Sequence, residues 1–571
     1  MMDNHRKKIT LNANQIGEAL LELLTLRNIE YFFAVGSGTD FPAIIEAYLE
    51  KQSHYPKPII AVHELPGIAM AHGYAMVAEK TPCIMLHTIV GGALGVMGII
   101  NAARAKIPLY VIAGRTAITE KGQKGSRSHI VHWGQESFDQ GTMFREFVKW
   151  DYELRAPEQL ETLVDRGLAI SQSQPQGPVY LALPVEISGA PIIDHKVYQS
   201  PQLTPVTAGI PDELSIKKAI ELLSKANNPI ILVSMLGKSS AAVAALVNFA
   251  EAMSIGVIES NPSYMNFPQN HPLHLGFDVS AYLNNADVIL LIETPVPWLP
   301  NNQTLSDNTI VISLSDDPLY SQYPYRSFPN DLSLSGDPSQ TLTALLKQCP
   351  VQQNNTKRLA QYKKCRQFNQ KTRQINIDES RNLTPISPIW VAHCLSQVLQ
   401  PLDIVITEFI LDLTQTCFTQ AGTYFNHASS GGLGWSLGAA LGAKLAKPDR
   451  RVFCVVGDGT YTFGVPVATH HMSRLHDLPV FFIVLNNAAW DRTRMASRAF
   501  SNRNTADNKN NIPLCELSPT PAYEDICKAA GGYGEKVTDP NELPSALIRA
   551  LSIMEQENKQ VLLNVITSKS K

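Results

Sequence analysis

Residues 451–494, RVFCVVGDGTYTFGVPVATHHMSRLHDLPVFFIVLNNAAWDRTR, decide how the rest of the chain is read. Residues 452–456 form an unbroken apolar run that stops at Gly457-Asp458-Gly459, the pattern of a fully buried parallel strand at its carboxyl end. Residues 465–475 can be helical, and a second apolar run, residues 480–485, stops at Asn486-Asn487. In open α/β sheets ligands bind outside such strand ends, so the two together predict one crevice.

The residue types say what that crevice would hold. Asp458 offers a carboxylate and Asn487 an amide oxygen. A few hard oxygen ligands suit Mg²⁺, which keeps waters and takes further oxygens from a bound phosphate. Gly457 and Gly459 have no side chains to hold a diphosphate away from the backbone, and a following helix would point its free N–H groups at it. The reading is a metal bridging protein and diphosphate. Alone, Gly-Asp-Gly could equally be a turn and Asn-Asn the start of a loop; two strand-end signals with 27 residues between Gly459 and Asn487 are harder to obtain by accident. The pairing resembles the thiamine diphosphate (ThDP) motif of the acetolactate synthase, pyruvate decarboxylase and benzoylformate decarboxylase superfamily. The resemblance implies metal ligation by Asp458, Asn487 and the backbone carbonyl of Ala489, with Gly457, Gly459 and Thr460 at the cofactor.

A chain of 571 residues is too long for one core and suggests about three or four domains. Hydrophobic content of 44% and charged content of 17% describe an ordinary globular protein. A net charge of −3 gives no basic field for nucleic acid. The start, MMDNHRKKITLNANQ, has no apolar signal core, and no run approaches the roughly 18 apolar residues of a membrane span. A soluble cytoplasmic protein is expected. The eight cysteines show no CxxC spacing and read as structural thiols.

Along the chain, strand, glycine turn and helix recur. Residues 31–35 read as a strand broken by Gly36-Ser37-Gly38; residues 59–62 as a strand ending at His63-Glu64 before a helix over 66–79; residues 83–86 as a strand ending at His87 before a helix to 105; residues 109–113 as another strand. Repeated βα units predict a doubly wound parallel sheet with Ser37, Glu64 and His87 on one rim. Residues 188–212 read as a linker. Residues 230–234, 257–259, 288–293 and 310–314 read as four strands of a second α/β unit without a GxGxxG signature. Residues 350–382 are polar and read as a solvated helix joining domains. A third unit opens with a helix over 388–399 and a strand over 404–407; residues 523–530 and 543–556 then read as helices, 561–566 as a last strand, and the polar loop 497–511 as a lid. The expected architecture is three doubly wound parallel-sheet α/β domains: residues 1–190, 205–350 and 383–571, corresponding by resemblance to the pyrimidine-binding, central and pyrophosphate-binding domains of ThDP enzymes.

Further segments extend the resemblance over nearly the whole chain. VHELPGIAMAHGYAMV is similar to the superfamily segment whose Glu, here Glu64, bonds the aminopyrimidine of ThDP and promotes formation of the thiazolium ylide. GPVYLALPVE resembles the strand closing the first domain, and VKWDYE looks decarboxylase-like. In SSGGLGWSLGAALGAKLA the first part resembles the segment that props ThDP into its bent form, which implies Leu433 beside Gly431; the later glycines read as tight helix packing. LHTIVGG and NHPLHLG resemble the contexts of the two active-site histidines of benzoylformate decarboxylase, implying His87 and His271, and HWGQESFDQ resembles the FQE segment of acetolactate synthases, implying Gln135.

Departures are equally legible. Thr493 stands where pyruvate decarboxylases carry a Glu, and Ala496 where acetolactate synthases carry a Trp. Glu408-Phe409-Ile410-Leu411 replaces the hydroxyl residues that hold the diphosphate in the decarboxylases, leaving backbone N–H groups for that task. The connection over residues 270–291 lacks the longer loop of acetolactate synthases, so FAD is a doubtful cofactor. The resemblance implies ThDP- and Mg²⁺-dependent decarboxylation or carboligation of a 2-oxo acid, in a homodimer or homotetramer with active sites between subunits. Alternatives are a benzoylformate-decarboxylase-like enzyme without carboligation and a non-catalytic ThDP-binding relative; for acyl-CoA chemistry no basic cluster marks a site.

Overall fold

A computed structural model of the chain describes residues 7–192, 195–350, 355–427, 429–500 and 512–570. Three parallel sheets, each flanked by helices, follow one another. The first contains β2 (Tyr31–Val35), β3 (Lys57–Ala61), β4 (Cys83–Leu86), β5 (Tyr110–Arg115), β6 (Asp151–Glu153) and β7 (Val179–Pro184) in the order β3-β2-β4-β5-β7-β6. The central sheet contains β9 (Pro229–Val233), β10 (Gly256–Glu259), β11 (Val288–Ile292), β12 (Ile310–Ser315) and β13 (Leu332–Ser335) in the order β10-β9-β11-β12-β13. The third contains β14 (Ile404–Thr407), β15 (Tyr424–Asn426), β16 (Val452–Gly457), β17 (Phe481–Asn486), β18 (Tyr533–Val537) and β19 (Val561–Ile566) in the order β15-β14-β16-β17-β19-β18. The expected α/β class with three doubly wound parallel sheets is therefore the observed one.

Apart from β3 and β10, which lie at sheet edges, the apolar runs became inner strands because both sheet faces are covered by helices, and a strand buried on both faces cannot alternate. Every residue of β4, β9, β11, β14 and β17 is buried. Four strands had no such signal: β6, β13, β15 and β18 are short edge strands, three of them partly exposed along most of their length. The expected linker over 188–212 also needs correction. It contains β8 (Lys196–Tyr198), which pairs antiparallel with β1 (Lys8–Thr10) and ties the segment back to the start of the chain. The polar helix expected between the second and third domains is Thr356–Ser380, anchored to the central domain by the buried Tyr362. Of the expected lid, residues 497–500 continue the helix Asp491–Phe500, while residues 501–511 lie outside the described part. Among the described residues no helix is long and apolar enough to cross a membrane.

The first and third domains meet through the helices Glu64–Ala78 and Trp435–Ala446. Small residues bring their backbones into direct contact: a Cβ on Gly73 would lie 2.2 Å from the carbonyl oxygen of Ala439, one on Gly438 2.3 Å from that of Pro66, and one on Gly442 2.0 Å from that of Met70. Any larger side chain would force the helices apart. This contact sets the two candidate rims in one rigid frame.

Candidate active site

In the first domain, the strand order β3-β2-β4 places the Gly36–Gly38 turn after β2 between the ends of β3 and β4. Glu64 begins the helix after β3 and is 8% exposed. Its carboxylate lies so close to the turn that a Cβ on Gly36 would be 2.7 Å from Oε1, and one on Gly91 would be 3.2 Å away. His87 follows β4, and a Cβ on Gly38 would sit 2.2 Å from its Nδ1. The glycines of this turn leave room for the side chains of Glu64 and His87.

The imidazole of His87 is held from both sides. Its Nδ1 is 2.5 Å from Oδ1 of Asp40, whose Oδ2 accepts the N–H of Thr88 at 3.1 Å, and its Nε2 is 3.3 Å from Nε2 of Gln135. With the proton on Nδ1 directed at Asp40, Nε2 accepts from the Gln135 amide. The Gln135 Oε1 is buried without a partner; rotating the amide presents it to an Nε2–H, so Gln135 can serve both protonation states of the ring. Asp40 is 2% exposed, and its hydrogen bond raises the His87 pKa, with its charge and that of Glu64 adding to the effect against burial. Asp40 escaped the sequence reading, which stopped at the glycines preceding it; an acid within a turn that follows a buried strand was the available signal. Thr88, adjoining His87, adopts φ +40, a strained backbone of the kind that clusters at functional sites.

In the third domain, β14, β16 and β17 are neighbours, so residues after their ends form a second rim. Asp458 begins the short helix Asp458–Phe463 and is 2% exposed. Burial pushes its carboxyl up to about 6, against the backbone N–H groups of Gly459, Ala488 and Ala489, which favour the charge. The tip after β17 thus approaches the acid after β16. Oδ2 of Asp458 is buried with no hydrogen-bond partner, an orphaned anionic oxygen of the kind a metal ion satisfies.

The tip after β17 is tightly folded. Oδ1 of Asn487 accepts the N–H of Ala489 at 3.1 Å, Ala488 adopts φ +54, and the carbonyl of Ala489 accepts the N–H of Asp491 at 2.9 Å, which leaves it a second lone pair. A Cβ on Gly459 would meet the ring of Trp490 at 2.3 Å, so this glycine admits the tryptophan that locks the two tips together. Gly457 faces open space, where a ligand can reach the backbone. Thr460 is half-buried in the short helix. Gly431, at φ +66 and exposed, and the half-buried Leu433 lie in the turn before the helix Trp435–Ala446, and that turn touches the first domain where Asn101 donates to the carbonyl of Gly432 at 3.0 Å. Glu408, 3% exposed, accepts from the N–H groups of Gly434 and Ser436 and from the Ser436 hydroxyl, so it caps that helix.

His271 is not brought to either rim within the chain by any described contact. Its Nε2 is 3.0 Å from Glu251 and its ring packs edge-on against Phe267, both in the central domain. Among the described residues no three His, Cys, Asp or Glu side chains form a metal cage; the orphaned Asp458 oxygen, an amide and a carbonyl form a donor set that fits Mg²⁺ shared with phosphate oxygens.

Three family descriptions match in sequence: the N-terminal TPP binding domain of thiamine pyrophosphate enzymes over residues 14–143, their central domain over 216–345 and their C-terminal TPP binding domain over 411–565. The chain is 24% identical over 535 residues to a benzoylformate decarboxylase of Pseudomonas aeruginosa, covering 89% of this chain and 91% of that protein. It is also 24% identical over 561 residues to the acetolactate synthase large subunit of Buchnera aphidicola, covering 94% and 92%. The crystal structure of benzoylformate decarboxylase from Polynucleobacter necessarius shares the fold with a TM-score of 0.80 at 22% identity, covering 98% of this chain and 99% of that one. A ThDP-dependent 4-hydroxybenzoylformate decarboxylase of Rhodococcus jostii RHA1 does so with 0.77 at 21%, covering 97% and 99%. With all three domain descriptions matched in order over one chain, the protein belongs to the thiamine pyrophosphate enzymes, in the superfamily of acetolactate synthase and benzoylformate decarboxylase.

Proposed function

We propose that the chain is a ThDP- and Mg²⁺-dependent carbon–carbon lyase or transferase that decarboxylates a 2-oxo acid and delivers the remaining acyl unit to a proton or to a second carbonyl. The observation that carries this reading is the buried, unpartnered Oδ2 of Asp458 beside the Ala488–Ala489 backbone. Asp458, the Asn487 amide oxygen and the Ala489 carbonyl would hold the metal, Gly457 would leave the backbone open to the diphosphate, and Leu433 and Gly431 would contact the cofactor. When bound, ThDP supplies a carbon nucleophile and an electron sink for the carbanion left by CO₂. Glu64, in a nearly water-free pocket, holds or releases a proton at its carboxyl toward a basic ring nitrogen. His87 exchanges a proton at Nε2, with Asp40 fixing its tautomer and Gln135 following its state. His271 acts only if a second copy brings it near.

Relatives named benzoylformate decarboxylase and acetolactate synthase support the 2-oxo acid class. The second reading, a decarboxylase without carboligation, is favoured by the absence of a Trp at Ala496. Exposed apolar side chains beside the first rim, Ile60, Val90, Leu94, Ile130 and Trp133, support a homo-oligomer that covers them. The test is to incubate the purified protein with ThDP, Mg²⁺ and a panel of 2-oxo acids including pyruvate and benzoylformate, and to measure CO₂ and identify products. No CO₂ from any of them, with cofactor bound, would leave the non-catalytic reading in its place.

A further inference from the structure

The third domain has Phe409-Ile410-Leu411 after β14 in place of hydroxyl residues, and the first backbone donor of that run is already engaged: the N–H of Phe409 donates to Oδ1 of Asn426 at 3.2 Å. What the rim does offer there is a cation. Arg492 lies in the helix Asp491–Phe500 that follows β17, and its Nη2 donates to the carbonyl of Phe409 at 2.8 Å. The sheet order β14-β16-β17 places the end of β16, with Gly457 and Asp458, between the two residues joined by this bond. The arginine therefore bridges the rim from β17 to β14 past the site where the diphosphate would sit.

Three features separate Arg492 from an ordinary surface arginine. It is exposed, and among the described residues its guanidinium meets one partner, a neutral carbonyl, although its neighbour Arg494 is paired with Asp491 at 2.7 Å. Among the described residues four of its five N–H donors have no partner and can take an anion in a planar fork. Phe409, which it holds, adopts φ +60, a conformation costly for a phenylalanine and retained only where the surroundings impose it. Glu408, the acid preceding Phe409, is engaged in its helix cap.

We propose that Arg492 is a diphosphate-binding residue of this chain, supplying by charge-assisted hydrogen bonds what the missing hydroxyl residues do not. This rests on the ThDP reading of the same site. A guanidinium complements the diphosphate charge that one divalent metal leaves uncompensated, and it can do so bidentately. Because Arg492 is exposed and packs into no core, its replacement leaves the fold standing.

The experiment is calorimetric titration of the full-length, cofactor-stripped protein with ThDP and, separately, with inorganic pyrophosphate, both at saturating Mg²⁺. In Arg492→Gln the Kd for both ligands should rise roughly ten- to hundredfold, with Arg492→Lys intermediate. An unchanged Kd overturns the assignment. So does a loss confined to ThDP, which would place the effect at the rings, and so does a rise in substrate KM with unaltered ThDP affinity, which would make Arg492 a substrate contact. If the unsubstituted protein binds neither ligand, the cofactor reading falls first and this one with it.

Discussion

In the Asp458→Asn protein the metal-free fold should melt at a higher temperature than the parent at pH 8. Burial moves the Asp458 carboxyl from 3.8 to about 6, and at 1.36 kcal/mol per pH unit ionising it inside the fold costs about 3 kcal/mol relative to the unfolded chain. An asparagine removes that charge, and because the shift already contains the help of the N–H groups of Gly459, Ala488 and Ala489, the net gain at pH 8 is about 2–3 kcal/mol. For a domain of this size that corresponds to roughly 4–12 °C. The sign follows from the direction of the shift: a carboxyl raised in the fold contributes its stability in full below its unfolded value of 3.8 and loses it as the pH rises through about 6. The gap between variant and parent should therefore be near zero at pH 4 and full at pH 8. Calorimetry with a chelator at pH 4.5, 6 and 8 reads it directly, and adding Mg²⁺ with ThDP should raise the melting temperature of the parent alone. A variant no more stable than the parent at pH 8, or a gap that does not grow with pH, would refute the claim that this carboxylate is held at a cost in readiness for a metal.

Glu64→Gln should retain the fold and lose turnover by several orders of magnitude; near-normal kcat with bound cofactor would remove Glu64 from the mechanism. In Asp40→Asn the His87 pKa should fall, because Asp40 is the main cause of its rise, so the limb of the kcat/KM profile set by His87 should move to lower pH; an unmoved limb means that His87 does not titrate in the reaction. Gly442→Ala puts a Cβ 2.0 Å from the Met70 carbonyl and should destabilise the protein by roughly 1–3 kcal/mol, read as a lower denaturant midpoint, whereas an unchanged midpoint would show that the helices separate freely. Removing divalent ions should release ThDP into the filtrate, and its retention would count against Asp458 and Asn487.

The inner strands were legible because a strand covered on both faces must be apolar at every position, as in residues 452–456 and 480–485. Edge strands such as Leu332–Ser335 are half-solvated and carry no such constraint, so nothing in their composition distinguishes them from loop. Glu64, His87 and Gln135 could be placed by position after a strand or by local resemblance, yet the side chains that tune them could not. Asp40 reaches His87 across a distance of 47 residues in sequence, and Arg492 reaches Phe409 across 83. Such pairs exist only once the strand order is known, and the order follows from crossover connections rather than from local pattern. Gly38 and Gly459 make room for His87 and for Trp490: a missing side chain records close approach without saying of what.

The seam between the helices Glu64–Ala78 and Trp435–Ala446 has a consequence for motion. Where main chain rests on main chain, no rotamer change can lubricate sliding, and prising the pair apart would expose the apolar side chains buried along the seam, Ala69, Met70, Ala439 and Ala443 among them. Any opening between the rims must then come from elements outside this seam, while the two flanking domains behave as a single anvil.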